Sequence, residues 1–171
     1  MTEQNALKEY MIEILNTSKR NIYTILDSAR DDKIYPELSG YNIEGVCLYP
    51  GQQAIDMAEV APYLIKIQYE TPFTEWILSE AFGKSWGIFI ESESDLETLK
   101  KHFRQFLKVY NEEGKSVLFR YYDPRVLRVY LPTCNDKELE IIYGPVFCYY
   151  IEDENGIIVN YPKDRDDYVN S

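Results

Sequence analysis

Apolar positions recur at helical spacing over residues 5–17. Leu7, Tyr10, Met11, Ile14 and Leu15 share one face and Lys8, Glu9 and Glu13 the other, so the pattern predicts an amphipathic helix. The run Asn21-Ile-Tyr-Thr-Ile-Leu-Asp27 then reads as a buried strand, closed by the polar cluster Asp27-Ser-Ala-Arg-Asp-Asp-Lys33. A short helix is expected over Ile34–Ser39 with Gly40 ending it. Glu44–Tyr49 is a second strand stopped by Pro50-Gly51, residues 53–59 give one or two helical turns, and Tyr63–Ile67 is a third strand.

The second half carries stronger local signals. Thr71-Pro72 pairs an N-cap with a first-turn proline, and Phe73, Trp76, Ile77 and Ala81 line one stripe of the helix that Gly83 ends. Trp86–Glu91 is a fourth strand. Ser94-Asp-Leu-Glu97 has the form of a capping box, ahead of a helix with Leu96, Leu99, Phe103, Phe106, Leu107 and Tyr110 on one face. After Glu113-Gly114, Val117–Tyr122 reads as a fifth strand. Asp123-Pro124 opens a helix to Leu131, and Asn135 with Glu138 caps another that runs to Tyr143. Val146–Ile151 and Ile157–Tyr161 flank Asn155-Gly156, a strong short-range hairpin signal.

Strands and helices alternate, which predicts an α/β fold with a mixed, mostly parallel sheet flanked by helices and ending in a C-terminal β-hairpin. One domain over 1–171 is expected: an N-terminal helix over 1–17, an α/β core over 21–146, and a hairpin with an acidic tail over 147–171.

Composition narrows the function. Lys and Arg number 18 against 29 Asp and Glu, a net charge of −11, which disfavours nucleic acid and anionic membranes as partners. No stretch reaches the roughly 18 apolar residues of a membrane span, and the N-terminus lacks the basic and apolar regions of a secretory signal, so a cytoplasmic location is expected. Cys47, Cys134 and Cys148 match no zinc or redox spacing and read as reduced, buried small hydrophobes. Sixteen tyrosines favour a recognition protein, since tyrosine offers large contact area at low entropy cost.

Candidate chemistry is sparse. Gly83-Lys84-Ser85 resembles the end of a phosphate loop, but Leu78 stands where its first glycine belongs and a strand follows in place of a helix. His102 is the single histidine and is expected to be a partly exposed helix residue. Asp27, Arg30, Asp31, Asp123 and Arg125 follow the first and fifth strands. Carboxylates there could hold Mg²⁺, and Asp27, Asp31 and Asp123 would be its ligands in a hydrolase. The interleaved arginines argue instead for a structural ion-pair cluster. No catalytic residue, metal site or cofactor is assigned. The acidic positions Glu152, Asp153, Glu154, Asp164, Asp166 and Asp167 read as a solvated face, with binding of a basic partner segment as the alternative.

Several segments in order carry a family resemblance: Ile25-Leu-Asp-Ser-Ala-Arg30 with Ile34-Tyr-Pro36, Leu48-Tyr49, Glu59-Val-Ala-Pro-Tyr-Leu64, and Thr71-Pro-Phe73 with Trp76. They continue with Gly83-Lys-Ser-Trp-Gly-Ile-Phe89, His102-Phe-Arg-Gln-Phe106, Phe119-Arg-Tyr-Tyr-Asp-Pro-Arg-Val-Leu127, Tyr130-Leu-Pro132 and Gly144-Pro-Val146. From Asn21 to Val146 the chain resembles the effector-chaperone, or adaptor, proteins of bacterial type VI secretion. The resemblance implies a non-enzymatic helper that binds a secreted effector and helps seat it on the VgrG spike. An immunity protein that inhibits a toxin is the alternative. The hairpin residues Phe147, Tyr149, Tyr150 and Tyr161 are the expected partner-binding edge.

Overall fold

The computed structural model describes residues 3–164. Helix α1 (Glu3–Thr17) leads into β1 (Asn21–Asp27), a 3-10 turn (Ser28–Arg30) and α2 (Ile34–Gly40). Next come β2 (Gly45–Cys47), α3 (Gly51–Asp56), a 3-10 turn (Ala58–Val60), β3 (Pro62–Ile67), α4 (Pro72–Glu80) and β4 (Gly87–Ser92). The remainder is α5 (Leu96–Arg104), β5 (Lys108–Tyr110), β6 (Ser116–Leu118), α6 (Pro124–Tyr130), a 3-10 turn (Leu131–Thr133), α7 (Asp136–Tyr143), β7 (Val146–Glu152) and β8 (Ile158–Pro162).

Six strands form one sheet in the order β2-β3-β1-β4-β7-β8, and every pairing is antiparallel. This overturns the mostly parallel sheet expected from the alternation of strands and helices. β3 and β4 do run in the same direction and are joined through α4, but β1 lies between them and opposes both. The alternation is real; the insertion of β1 between β3 and β4 removes the parallel contact.

Burial explains why the strands looked parallel. An antiparallel sheet with one wet face would alternate apolar and polar residues, whereas β1, β3, β4 and β7 are largely buried on both faces and read as nearly continuous apolar runs. On one face Tyr23, Ile25, Leu64, Ile88, Ile90 and Tyr149 pack with Leu99 and Phe103 of α5, Leu127 of α6 and Ile142 of α7. On the other, Ile22, Leu26, Ile65, Phe89 and Tyr150 pack with Met11 of α1, Ile34 of α2 and Phe73, Ile77 and Leu78 of α4. The result is three layers with helices on both sides of the sheet.

Local chemistry sets most boundaries. Thr71 caps α4 by accepting from the Thr74 N–H, and Asn135 with Glu138 forms a reciprocal capping box on α7. The cap of α5 is Asp95, one residue later than expected, because the Ser94 carbonyl is taken by the Tyr23 hydroxyl at 2.7 Å while Asp95 accepts from the Thr98 N–H at 2.8 Å. α5 stops at Arg104, so Tyr110 lies in β5 and not on the helix. The fifth strand is likewise reduced to β6, which pairs only with β5 in a separate two-stranded ribbon. Asn111 Oδ1 closes that ribbon by accepting from the Glu113 and Lys115 N–H groups at 3.1 and 2.9 Å.

No helix among the described residues is long and apolar enough to cross a membrane. Cys134 and Cys148 are buried and Cys47 half-buried, with no disulfide among them; burial pushes the Cys148 thiol up to about 12.

Candidate functional site

Because β1 and β7 run one way and β3, β4 and β8 the other, one end of the sheet collects six connections: 28–33, 48–50, 57–61, 81–86, 119–123 and the hairpin tip 153–157. Polar contacts tie them together. The Asp27 N–H donates to the Trp86 carbonyl at 2.8 Å and the Ser28 N–H to the Ala61 carbonyl at 3.1 Å. Arg30 reaches the Ser85 and Lys84 carbonyls at 3.2 and 3.4 Å. Arg104 donates to the Leu48, Cys47 and Tyr49 carbonyls at 3.1, 3.1 and 3.3 Å, pinning the loop after β2 to α5.

Asp27 is 1% exposed. Its Oδ1 caps the first 3-10 turn by accepting from Ala29 N–H at 3.1 Å, and its Oδ2 pairs with the Arg120 guanidinium. Asp123 accepts from Arg125 through the backbone N–H and Nε, each at 3.0 Å, and through Nη2 at 2.7 Å. Burial pushes the Asp123 carboxyl up, but the contacts of Arg125 and the nearby Arg120 hold it below the usual carboxylate range. Two carboxylates and two guanidinium groups therefore alternate here.

The membership differs from the expected cluster. Asp27, Asp123 and Arg125 are present and Arg120 joins them, a residue the sequence reading passed over. Arg30 turns to carbonyls of the 84–85 turn, and Asp31 Oδ1 accepts from the Lys33 N–H two residues on, at 3.0 Å. The available signal was the run Phe119-Arg-Tyr-Tyr-Asp-Pro-Arg125, where an arginine precedes two buried tyrosines and so must lie beside the core. Among the described residues, no group of three or more His, Cys, Asp or Glu side chains could hold a metal ion.

The Gly83-Lys84-Ser85 turn is an anion cradle already filled from within. Gly83 and Ser85 adopt positive φ of 76° and 53°, and their N–H groups donate to the Glu152 carboxylate at 2.8 and 3.0 Å. Arg128 donates to the Glu152 carbonyl at 3.1 Å. Glu152 is thus a buried staple and no part of a solvated acidic face. Burial pushes its carboxyl up against the downward pull of the two N–H groups. Asp153 also serves structure, accepting from the Asn155 and Ile157 N–H groups at 2.8 Å each. Asp166 and Asp167 lie outside the described residues.

The hairpin residues expected at the partner-binding edge divide. Tyr149 is 0% exposed and donates to the Ile142 carbonyl at 2.6 Å; Tyr150 is buried on the opposite face and donates to Glu91 at 3.0 Å. Neither presents a ring to solvent, because helices cover both faces of β7. Phe147 is 37% exposed with the Arg20 guanidinium 3.9 Å from its ring centroid, and Tyr161 is half-buried. His102 is also buried. Its Nε2 lies 3.0 Å from the Ile142 carbonyl, and burial lowers its pKa although that hydrogen bond opposes the shift.

Exposed apolar side chains gather in two other places. Ile55, Met57 and Val60 project from α3 and the following 3-10 turn, beside the loop end of the sheet. Val109, Tyr110, Val117 and Leu118 project from the β5–β6 ribbon, all of whose residues are exposed. A groove of about 340 Å³ opens next to the first patch, lined by Ser28, Ala29, Asp32, Tyr35, Pro36, Glu59 and Val60.

No curated protein and no solved structure matches the chain. One family model, described as Domain of unknown function (DUF4123), matches residues 22–140, from β1 into α7. The match covers more than half of the chain and all of the loop end except the hairpin tip, and the chain therefore belongs to the DUF4123 family.

Proposed function

We propose that the protein is an adaptor that binds a type VI secretion effector in the cytoplasm and helps load it onto the VgrG spike. Four segments that carry the resemblance to such adaptors, residues 25–30, 59–64, 83–89 and 119–127, meet at the loop end of the sheet, and that convergence carries the reading. Exposed Ile55, Met57 and Val60 beside this end add apolar contact area of the kind found at protein interfaces. Three buried carboxylates there are committed to holding loops: Asp27 to Arg120, Asp123 to Arg125 and Glu152 to the 83–85 turn.

Co-expression with a candidate toxin effector from the same genome, in the presence of the spike protein, tests the proposal. A soluble complex that retains the toxin's enzymatic activity and also captures the spike protein is the expected result. Absence of any complex overturns it. A one-to-one complex in which the toxin is inhibited would identify an immunity protein instead.

A further inference from the structure

Ser28 Oγ is the one buried side-chain oxygen or nitrogen among the described residues that lacks a hydrogen-bond partner, and the residue is 2% exposed. A hydroxyl removed from water without a partner is costly, and native structures rarely keep one without a use. Ser28 lines the groove described above. Ala29, Pro36 and Val60 give that groove exposed apolar walls, and the half-buried Tyr35 ring adds to them. Its charged lining residues are Asp32 and Glu59, both exposed, and neither has a hydrogen-bonded or ion-paired side chain among the described residues. No Lys or Arg lines it. Asp27, Asp123, Glu152 and Asp153 at this end are matched to guanidinium or backbone N–H groups, whereas Asp32 and Glu59 are negative charge without a counterpart.

An apolar slot with an acidic rim suits a long side chain with an aliphatic stem and a cationic head. We propose that the groove takes a lysine or arginine side chain from an extended segment of the partner polypeptide. The stem lies over Pro36 and Val60, and the cation faces Asp32 and Glu59. Rotation of Ser28 about χ1 turns its hydroxyl to accept from an N–H of the incoming segment. The identity of the partner rests on the adaptor reading; the chemistry of the groove does not. The net charge of −11 favours the encounter with a basic segment at long range.

The test is an amide NMR titration of the full chain with a blocked pentapeptide, acetyl-Gly-Val-Arg-Val-Gly-amide, and with its glutamine counterpart. Saturable shifts at Ala29, Asp32 and Val60 are expected with the arginine peptide. Affinity for the glutamine peptide should be about tenfold lower, as loss of a charge pair implies. Asp32→Asn with Glu59→Gln should abolish the preference. Ser28→Ala should weaken binding about threefold, the effect of one modest hydrogen bond, while raising the melting temperature because the unpartnered hydroxyl is gone. No saturable shift at these residues, shifts confined to another surface, or equal affinity for the two peptides overturns the proposal. So does unchanged affinity in the double variant. Effector capture by co-expression separates the two levels. If the Asp32→Asn, Glu59→Gln protein captures effector as the parent does, the groove is not the client site and the adaptor reading stands. If the parent captures none, the adaptor reading fails and the peptide titration alone decides the groove.

Discussion

Replacing Arg120 by alanine tests whether the Asp27–Arg120 pair holds the loop end together. Asp27 is 1% exposed, and its Oδ2 is directed at Arg120 while Oδ1 takes the Ala29 N–H. Breaking a fully buried ion pair by removing one partner costs about 3–5 kcal/mol, because the surviving charge is left without compensation. Here the Arg120 side chain is 38% exposed, so water enters where the guanidinium was and screens part of the penalty. Asp27 also keeps one N–H donor. The expected cost is therefore about 2–3 kcal/mol, a fall in melting temperature of roughly 5–10 °C for a chain of this size. Asp27→Asn keeps an acceptor for Ala29 and leaves a guanidinium that can hydrate, so it should cost about 1 kcal/mol. In the Asp27→Asn background, Arg120→Ala should then cost no more than about 1 kcal/mol, since no charge is stranded. Urea unfolding of the four proteins at pH 7 gives the cycle. An Arg120→Ala cost below about 0.5 kcal/mol, or the same cost in both backgrounds, would refute the pairing argument. Asp31→Asn is the control: among the described residues its side chain meets only the Lys33 N–H, and its effect should stay within about 0.5 kcal/mol.

Glu152→Ala should lower stability by about 2 kcal/mol in urea melts, because it strands the Gly83 and Ser85 N–H groups, and Glu152→Gln by less; equal and negligible effects would mean water replaces the carboxylate freely. Gly144→Ala should be strongly destabilising, since a Cβ there would sit 2.5 Å from the His102 ring and φ is +48°; a calorimetric melt within about 2 °C of the parent, no more than the shift expected for 1 kcal/mol, would contradict the packing. His102 has its pKa lowered by burial, so the unfolded chain binds its proton first. Its contribution is complete above pH ~6.5 and is lost as pH falls below that value. Glu152, with its pKa raised, acts in the opposite sense above pH ~4.5, so the comparison to make is between parent and His102→Gln at pH 7.5 and 5.5. The variant should lose less stability on acidification, and equal losses would exclude His102 as the sensor.

Features set by neighbours in sequence were readable. The Thr71 and Asn135–Glu138 caps, the Asn155-Gly156 turn and the full length of β1 depend on a few adjacent residues, and the structure has them where the pattern put them. Strand direction was not readable, because it depends on β1 inserting between β3 and β4, a choice made by contacts across about forty to seventy residues. The reach of α5 was over-read: Phe106, Leu107 and Tyr110 keep helical spacing with Leu99 and Phe103, but Leu107 accepts from the Phe119 N–H at 3.0 Å and the chain turns into the ribbon. The burial of Tyr149 and Tyr150 has a physical reason. Tyrosine has a polar tip that an interior carbonyl satisfies as well as water does, as Ile142 does for Tyr149, so its abundance alone did not separate surface from core. Of the site, Asp27, Asp123 and Arg125 were foreseen as types and positions, but their pairing needed the third dimension.

The match to the DUF4123 family ends at residue 140, inside α7, yet β7 lies against β4 and carries Tyr149 into the centre of the protein. The Glu152 carboxylate then reaches back to residues 83 and 85. A fragment trimmed to the borders of sequence similarity would bare the flank of β4, an apolar strand with unmet backbone groups ready to pair with a neighbour's. Expression of such a fragment should yield inclusion bodies. The border of the family match and the border of the folding unit therefore differ for this chain, and the last strand pair belongs to the minimal folding unit.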